Sequence, residues 1–319
     1  MNSKRASLLF FLILIVLGVP WFGAEPLQTR DVFKLGTLSH RIFWELRIPR
    51  LLITVALGGV LATVGCTYQS LFKNPLCEPY ILGISSAVLL GIISAETFFH
   101  QQVGTLFSVS LGLGSALLLI FVLMAFSTSV LASSDRVILF GMGANFILSS
   151  LLFLLLSFQT QSVGGGTLKW FFGFLPWLEL RDALIFFFAS SLFSIILMIF
   201  SRPLEALRMG DSVARTLGVS PLLARNSYLL FTSLVVAITV SFSGTIGFVG
   251  LAVPQLCKIL FRPASMRSLF VQSFFVGAIF LSIADGISRA LIPPVEFPIG
   301  VITTLIGGPL FLLTLWKRT

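Results

Sequence analysis

Long apolar runs recur along this entire chain, and they constrain its fold more than any other feature. A bilayer core is crossed by roughly 20 apolar residues of α-helix, at about 1.5 Å per residue. Charged, glycine and proline residues divide the chain into ten predicted spans: 7–23, 48–71, 80–98, 105–131, 137–158, 183–201, 225–243, 248–261, 268–290 and 297–316. We expect the first span to stay as an anchor rather than to be cleaved as a signal peptide. The pattern predicts an all-α polytopic membrane protein of about ten transmembrane helices.

Composition supports a chain that lies almost entirely in the membrane. Hydrophobic residues make up 56% of the 319 residues and charged residues only 10%, whereas soluble domains carry about a quarter charged residues. The ten spans use the whole length, so we predict a single transmembrane domain over residues 1–319 that contacts lipid. Any energy source would then be another subunit or an ion gradient.

The basic residues that give the chain its net charge of +9 indicate its orientation in the membrane. Basic residues are scattered singly between apolar runs, so nucleic-acid binding is not predicted. Thirteen of the 21 basic residues fall on the side of the membrane that holds both termini. Because cytoplasmic loops are enriched in Lys and Arg, both termini are predicted to be cytoplasmic.

The sequence contains no pattern that predicts catalysis or metal binding. It has no Ser/His/Asp set, no HExxH motif and no pair of carboxylates within a span. Cys66, Cys77 and Cys257 lack the spacing of a zinc site or of a disulfide framework, and His40 and His100 are isolated. We therefore predict no enzyme activity, no metal site and no cofactor.

Charged residues at the ends of the predicted spans indicate a functional surface. Arg47 and Arg50 lie at the predicted outer mouth of the second span, and Arg289 at the outer end of the ninth. Asp285 precedes Arg289 by four residues on the same helix face, and Glu296 precedes the last span. Snorkelling explains outer arginines poorly, because basic residues are favoured on the inner side. An acidic partner that docks from outside explains them better, and both interpretations stay open.

The longest predicted inner loop, residues 202–224, contains residues that typically begin and end short helices. Gly210 breaks the chain, and Asp211 or Ser212 can cap a short helix. Gly218 suits the left-handed position after that helix, and Pro221 suits the first turn of the next. We predict two short helices at a right-angle bend that lie at the inner surface and hold a partner.

Several segments resemble one transporter family. RIPRLLITVALGGVLATVGCTYQSLFKNPLCEPYILGISS (47–86) is similar to the segment of iron-siderophore, haem and cobalamin permeases that reads R-x-P-R, then G-x-x-x-Q and N-P-L-x-x-P-x-x-L-G. LRMGDSVARTLGVS (207–220), GTIGFVGLAVPQ (244–255) and ADGISRALIPPVEFPIGVITTLIGGPLF (284–311) resemble later parts of the same proteins. The resemblance covers about residues 45–316 in order. The chain thus resembles the FecCD/cobalamin-type permeases of ABC importers.

The resemblance implies the large, ten-span permease fold and a set of partners. Two permease subunits, identical or paralogous, would enclose a path across the bacterial cytoplasmic membrane. Two cytoplasmic ATP-binding subunits would supply the energy, and an extracytoplasmic binding protein would deliver the substrate. ATP hydrolysis would thus belong to separate subunits, and the chain itself would not be an enzyme.

The resemblance also implies roles for individual residues. The binding protein would dock on Arg47, Arg50 and Arg289. Within the coupling loop 202–224, the matched positions that would contact the ATPase are Leu207, Gly210, Asp211, Ala214, Leu217 and Gly218. The path and its inner gate would include Ser134, Asp135, Gly141 and Asn145. A charge such as Asp135 is unexpected in the family at the gate.

The expected cargo is an iron-siderophore chelate, with haem or cobalamin as alternatives. The predicted spans carry few charges, which suits a wide, weakly adhesive path for a bulky chelate. A carrier of bare metal ions would need carboxylates, histidines or thiolates within its spans. A more distant alternative is a secondary transporter driven by an ion gradient, which predicts an ionisable residue near mid-membrane; a scaffold without transport is another.

Overall fold

The computed structural model describes residues 16, 18–21, 28–99, 105–128, 134–158, 169–291 and 296–316, and within them every regular element is helical. We number the main helices α1 to α11: Leu38–Leu71, Ile84–Phe99, Thr105–Ser127, Ser134–Phe158, Leu180–Ile199, Ser201–Met209, Asp211–Thr216, Pro221–Ser243, Val249–Phe261, Met266–Ala290 and Ile299–Trp316. Short 3-10 helices occupy Val19–Trp21 and Pro79–Leu82. The all-α prediction is confirmed.

The predicted spans coincide with apolar helices wherever the structure describes them. Within the described residues, six helices are long and apolar enough to cross a membrane: α1, α3, α4, α5, α8 and α10. The remaining three predicted spans correspond to the shorter apolar helices α2, α9 and α11. Most of the first predicted span, 7–23, lies outside the described residues.

Helix α1 begins ten residues earlier than the predicted start of the second span. Thr37 caps its N-terminus by accepting a hydrogen bond from the backbone N–H of His40, and the helix continues to Leu71. Residues Ile42–Arg47 form a π-helical segment. Pro49 explains this segment, because a proline within a helix lacks an N–H and its ring clashes with the carbonyl four residues earlier. The stretch between the first two predicted spans is therefore helical over its last ten residues, 38–47.

The chain divides into two compact units. The first comprises the described parts of Met1–Thr63, Leu175–Ile199 and Phe248–Thr319, and the second those of Val64–Phe174 and Phe200–Gly247. The boundary between Thr63 and Val64 falls inside α1.

Close approach of glycines fixes the helix packing in the first unit. Gly58 of α1 faces Gly277 of α10, and a Cβ atom built on Gly58 would lie 2.2 Å from the carbonyl oxygen of Gly277. Small residues allow helix backbones to approach closely in lipid, where dispersion contacts replace the hydrophobic effect. The hydroxyls of Thr54 and Ser282 add a buried hydrogen bond of 3.1 Å between the same two helices.

In the second unit, glycines likewise allow α2 and α3 to approach each other closely. A Cβ atom on Gly91 would lie 2.5 Å from the carbonyl oxygen of Leu111, and one on Gly112 would lie 2.8 Å from the side chain of Ile92. Tyr68, in the last turns of α1, is fully buried and its hydroxyl lies 2.6 Å from that of Ser233 in α8. Such pairs satisfy polar groups that would otherwise be stranded in an apolar interior.

Candidate functional site

A network of ion pairs joins Arg50, Asp285, Arg289 and Glu296, which are charged residues of the first unit that the sequence singled out, and Arg47 lines the same cavity. We call Arg47, Arg50, Asp285, Arg289 and Glu296 the rim cluster. Arg50 lies three residues after the π-helical segment of α1, Asp285 and Arg289 lie in the last two turns of α10, and Glu296 precedes α11. The elements thus join residues that are more than 200 positions apart in the sequence.

Asp285 is the centre of the rim cluster. Its Oδ1 accepts a hydrogen bond from Nε of Arg50 at 3.0 Å and lies 2.9 Å from Nη2 of the same guanidinium, and its Oδ2 lies 3.0 Å from Nη2 of Arg289. The Asp285 residue is only 1% exposed. A buried carboxylate is tolerated when cations and hydrogen bonds compensate its lost hydration, and two guanidinium groups do so here.

Glu296 and Arg47 complete the cluster in different ways. Both carboxylate oxygens of Glu296 accept hydrogen bonds from Nη1 of Arg50, at 2.9 and 3.0 Å. Arg47 is buried, with 7% of its surface exposed, and its Nη1 donates to the backbone carbonyl of Pro20 at 2.9 Å. The structure therefore gathers the three predicted docking arginines around one cluster, and their docking role stays a prediction.

A cavity of about 250 Å³ adjoins the rim cluster. Its charged lining includes Arg47, Arg50, Arg289, Glu45 and Glu296. The rest of the wall is apolar and is formed by Ile42, Leu46, Leu175, Pro176, Trp177 and Leu178. Mostly apolar walls with a few convergent polar groups are typical of binding sites.

The predicted coupling loop of the second unit contains three helical pieces rather than two short helices. Helix α6 lies before Gly210, where no helix was predicted, and Pro221 begins the long helix α8 instead of a short one. Gly210 separates α6 from α7 with φ 129° and ψ 158°, a conformation that essentially glycine alone adopts. Gly218 ends α7 with φ 78°.

The end of α7 is a Schellman motif, as the glycine predicted. The N–H of Val219 donates to the carbonyl of Ala214 at 2.9 Å, and the N–H of Gly218 donates to that of Arg215 at 3.0 Å. These bonds satisfy carbonyls that the helix end would leave without partners. The tight turn thereby fixes the direction in which the chain enters α8.

The predicted start of α7 was wrong in one detail. Gly210, which has no side chain, occupies the N-cap position that was assigned to Asp211 or Ser212. Asp211 instead pairs with Arg225 of α8 at 2.8 Å. At 40% and 20% side-chain exposure this pair contributes at most about 1 kcal/mol, but it links α7 to the span that follows.

The coupling loop 202–224, which we call the coupling segment from here on, presents an apolar surface. Leu207 and Ala214 are buried and hold α6 and α7 in place, whereas Leu217 is 62% exposed. Other exposed apolar side chains of the segment are Met209, Val213, Leu222 and Leu223. A cluster of exposed apolar residues beside polar ones is typical of a protein-binding surface.

Gly210 provides a direct test of this segment. We expect Gly210→Val to cost about 1–3 kcal/mol of local strain and to change the path of the chain into α7. ATP-driven transport by the assembled complex should then fall by tenfold or more (about 1.4 kcal/mol per factor of ten), while the purified chain still folds and its thermal midpoint falls by only a few degrees. Ser212→Val, on the exposed helical residue nearby, is the matched control and should keep transport. Equal transport by both variants would contradict the prediction.

The residues predicted to line the path and its gate lie in or beside α4 of the second unit. Gly141 is buried, and a Cβ atom there would lie 2.5 Å from the side chain of Leu82. Oδ1 of Asn145, which is half-buried, accepts a hydrogen bond of 2.6 Å from the hydroxyl of Ser86. Both residues thus pack α4 against the segment that begins α2, and their lining of a path stays a prediction.

The predicted gate residues Ser134 and Asp135 begin α4. Asp135 lies close enough to the turn before Pro79 to act on Cys77. Burial, with a smaller contribution from the Asp135 carboxylate, raises the pKa of Cys77 to about 12. This thiol therefore stays protonated at neutral pH, where only the thiolate would be reactive.

Glu296 is the rim-cluster residue whose partner the sequence did not indicate. A carboxylate just before a helix commonly interacts with the helix N-terminus, but that of Glu296 pairs with Arg50. No local signal could reveal a pair separated by 246 residues. The pairing of Asp285 with Arg289, by contrast, follows from their i,i+4 spacing.

Two curated bacterial permeases are similar to this chain. The chain is 31% identical to the probable iron chelatin transport system permease protein of Helicobacter pylori over 284 residues, which are 89% of this chain and 85% of that one. It is 33% identical to the hemin transport system permease protein HmuU of Yersinia pestis over 322 residues, 98% of this chain and 94% of that one.

A solved structure shares the fold of the whole chain. It is described as an inward-facing conformation of a metal-chelate type ABC transporter, with a TM-score of 0.86 and 28% identity over 98% of this chain and 99% of that one. The sequence profile of the FecCD transport family matches residues 8–317. The chain therefore belongs to the FecCD transport family and is a membrane permease of ABC-importer type.

Proposed function

We propose that this permease moves an iron-siderophore chelate across the bacterial cytoplasmic membrane, powered by ATP hydrolysis in a partner subunit. All 319 residues would work as one permease domain with both termini in the cytoplasm. The single observation that carries the proposal is the exposed apolar surface of the coupling segment, including Leu217, in a chain of this family. Such a surface, beside polar residues and outside the long apolar spans, is typical of one that a protein partner covers.

The proposed assembly contains two permease subunits, two ATP-binding subunits and one extracytoplasmic binding protein. The ATP-binding subunits would hold the coupling segment through Leu207, Gly210, Asp211, Ala214, Leu217 and Gly218. The binding protein would dock at the rim cluster through Arg47, Arg50 and Arg289. The path would pass Ser134, Asp135, Gly141 and Asn145. Closure of the ATPase pair would move α6 and α7 and tilt the spans, which switches access from one side to the other.

The chemistry of the chain supports a chelate as cargo rather than a bare ion. No group of three or more His, Cys, Asp or Glu residues that could hold a metal ion occurs in the described parts of the chain. A carrier of unchelated iron would need such ligands. Iron chelatin and hemin are the cargoes named for the two curated relatives; haem and cobalamin are the alternative chelates for this chain.

Uptake by the reconstituted complex tests the proposed cargo. The chain is co-expressed with its ATP-binding subunit, and proteoliposomes with ATP inside receive binding protein loaded with labelled ferric siderophore, haem or cobalamin. We expect a stoichiometric ATPase to co-purify and only the ferric siderophore to accumulate. Accumulation of haem or cobalamin in its place would overturn the cargo, and failure of any ATPase to co-purify in mild detergent would overturn the assembly.

A further inference from the structure

We propose that Glu296 is a displaceable occupant of the rim cluster, which a carboxylate of the docking partner replaces on Arg50. This inference rests on the proposed function, because it assumes that an acidic protein docks at the rim cluster. It adds that the surface is closed by the chain's own carboxylate until the partner arrives. Docking is then an exchange of one ion pair for another.

Each nitrogen of the Arg50 guanidinium already faces a carboxylate oxygen. Its Nε donates to Oδ1 of Asp285 at 3.0 Å, its Nη2 lies 2.9 Å from the same oxygen, and its Nη1 donates to Glu296 at 2.9 and 3.0 Å. A partner's carboxylate that pairs with Nη1 of Arg50 must therefore take the place that Glu296 now occupies.

Burial decides which of the two acids leaves. The Asp285 side chain is 2% exposed and is shared between Arg50 and Arg289, whereas the Glu296 side chain is 51% exposed. A buried ion pair is costly to break, while an exposed one contributes little. Asp285 is thus the permanent partner of Arg50, and Glu296 is the exchangeable one.

The residue after Glu296 is hydrogen-bonded to α10, so the exchange needs only a rotation of the Glu296 side chain. The hydroxyl of Ser288 in α10 donates to the carbonyl oxygen of Phe297, and the N–H of Phe297 donates back to the carbonyl oxygen of Ser288 at 3.4 Å. These bonds hold the residue that follows Glu296 to α10. The Glu296 side chain can turn towards solvent without unfolding either helix.

The adjoining cavity supplies room for the incoming group. It measures about 250 Å³ and is lined by Arg50 and Glu296 as well as by the apolar side chains of Leu46 and Trp177. A carboxylate that enters it would meet Arg50 while its neighbouring apolar side chain fills the cavity. The chemistry therefore fits an acidic loop of a binding protein that carries an apolar residue beside its glutamate or aspartate.

Binding kinetics of four forms of the permease–ATPase complex in nanodiscs test the exchange. The probe is the binding protein encoded with this permease, measured on wild type, Glu296→Gln, Glu45→Gln and Arg50→Glu over a range of salt. We expect Glu296→Gln to bind the binding protein about twofold to fivefold more tightly, because one exposed ion pair no longer competes for Arg50. Glu45→Gln is the matched control, because it removes the same charge from the same cavity at a residue paired with Arg41, at 3.9 Å, instead of Arg50.

The outcomes separate the inference from the proposed function. Unchanged binding by Arg50→Glu would overturn docking at the rim cluster and the exchange with it. Lost binding by Arg50→Glu together with wild-type or weaker binding by Glu296→Gln would overturn the exchange alone. Equal gains from Glu45→Gln and Glu296→Gln would also overturn it, because they would show a general effect of charge. The exchange is supported if Glu296→Gln binds the partner more tightly than wild type and Glu45→Gln does not.

Discussion

Replacing Gly58 with leucine is expected to abolish the folded permease. A Cβ atom there would lie 2.2 Å from the carbonyl oxygen of Gly277, and a Cβ atom on Gly277 would lie 2.3 Å from that of Gly58. The obstacle on each side is backbone, which cannot rotate away as a side chain can. Helices α1 and α10 would have to separate, at a cost above the roughly 1–3 kcal/mol of ordinary overpacking.

The measurement is the yield and thermal midpoint of detergent-purified protein. Gly143→Leu in α4 is the matched control, because no heavy atom lies within 4 Å of a Cβ built there. It makes the same chemical change at a helical glycine with open surroundings. We expect Gly143→Leu to purify like wild type and Gly58→Leu to aggregate or to be lost from the membrane. Similar midpoints for the two variants would contradict the packing of α1 on α10.

Removing the charge of Asp285 should have the largest effect of any change in the rim cluster. Asp285→Asn leaves Arg50 and Arg289, whose side chains are 17% and 11% exposed, facing each other without their shared carboxylate. Breaking a buried ion pair costs about 3–5 kcal/mol, because a charge stays buried without compensation. Glu296 offsets part of this cost for Arg50. We expect a drop of several degrees in the thermal midpoint of the purified permease.

A second substitution makes this prediction specific. In Asp285→Asn with Arg289→Gln, one positive charge leaves with the negative one, and Arg50 keeps its pair with Glu296. Most of the lost stability should then return, although docking would stay impaired. Asp31→Asn is the control for a surface pair: the side chains of Asp31 and Lys34 are 29% and 67% exposed, so its effect should stay below about 1 kcal/mol. A wild-type midpoint for Asp285→Asn would contradict the buried network.

Hydrophobic run length was enough to predict the helical fold, because a membrane requires every backbone hydrogen bond to be made within a helix. Gly218 and Pro221 also allowed one helix end and one helix start to be predicted, since their backbone preferences do not depend on distant contacts. The early start of α1 at Leu38 was missed, because amphipathic sequence before a span looks like a loop. Helix α6 was missed for the same reason.

Long-range pairing could not be predicted from one sequence. Arginines 47, 50 and 289 were recognised as unusual, but the contact of Arg50 with Glu296 depends on how α1 meets the segment before α11. The contact between Gly58 and Gly277 could not be predicted either, because many glycines of the chain occupy comparable helical positions. Only tertiary structure distinguishes these two from Gly143.

The central claim is that this permease has no energy source of its own and depends on ATP hydrolysis by a partner. The most direct measurement is uptake of labelled ferric siderophore by proteoliposomes that contain the assembled complex and ATP. Vanadate, which blocks ATP hydrolysis, should abolish uptake, and dissipating proton and sodium gradients should leave it unchanged. Uptake that continues in vanadate and stops when the gradients are dissipated would contradict the claim.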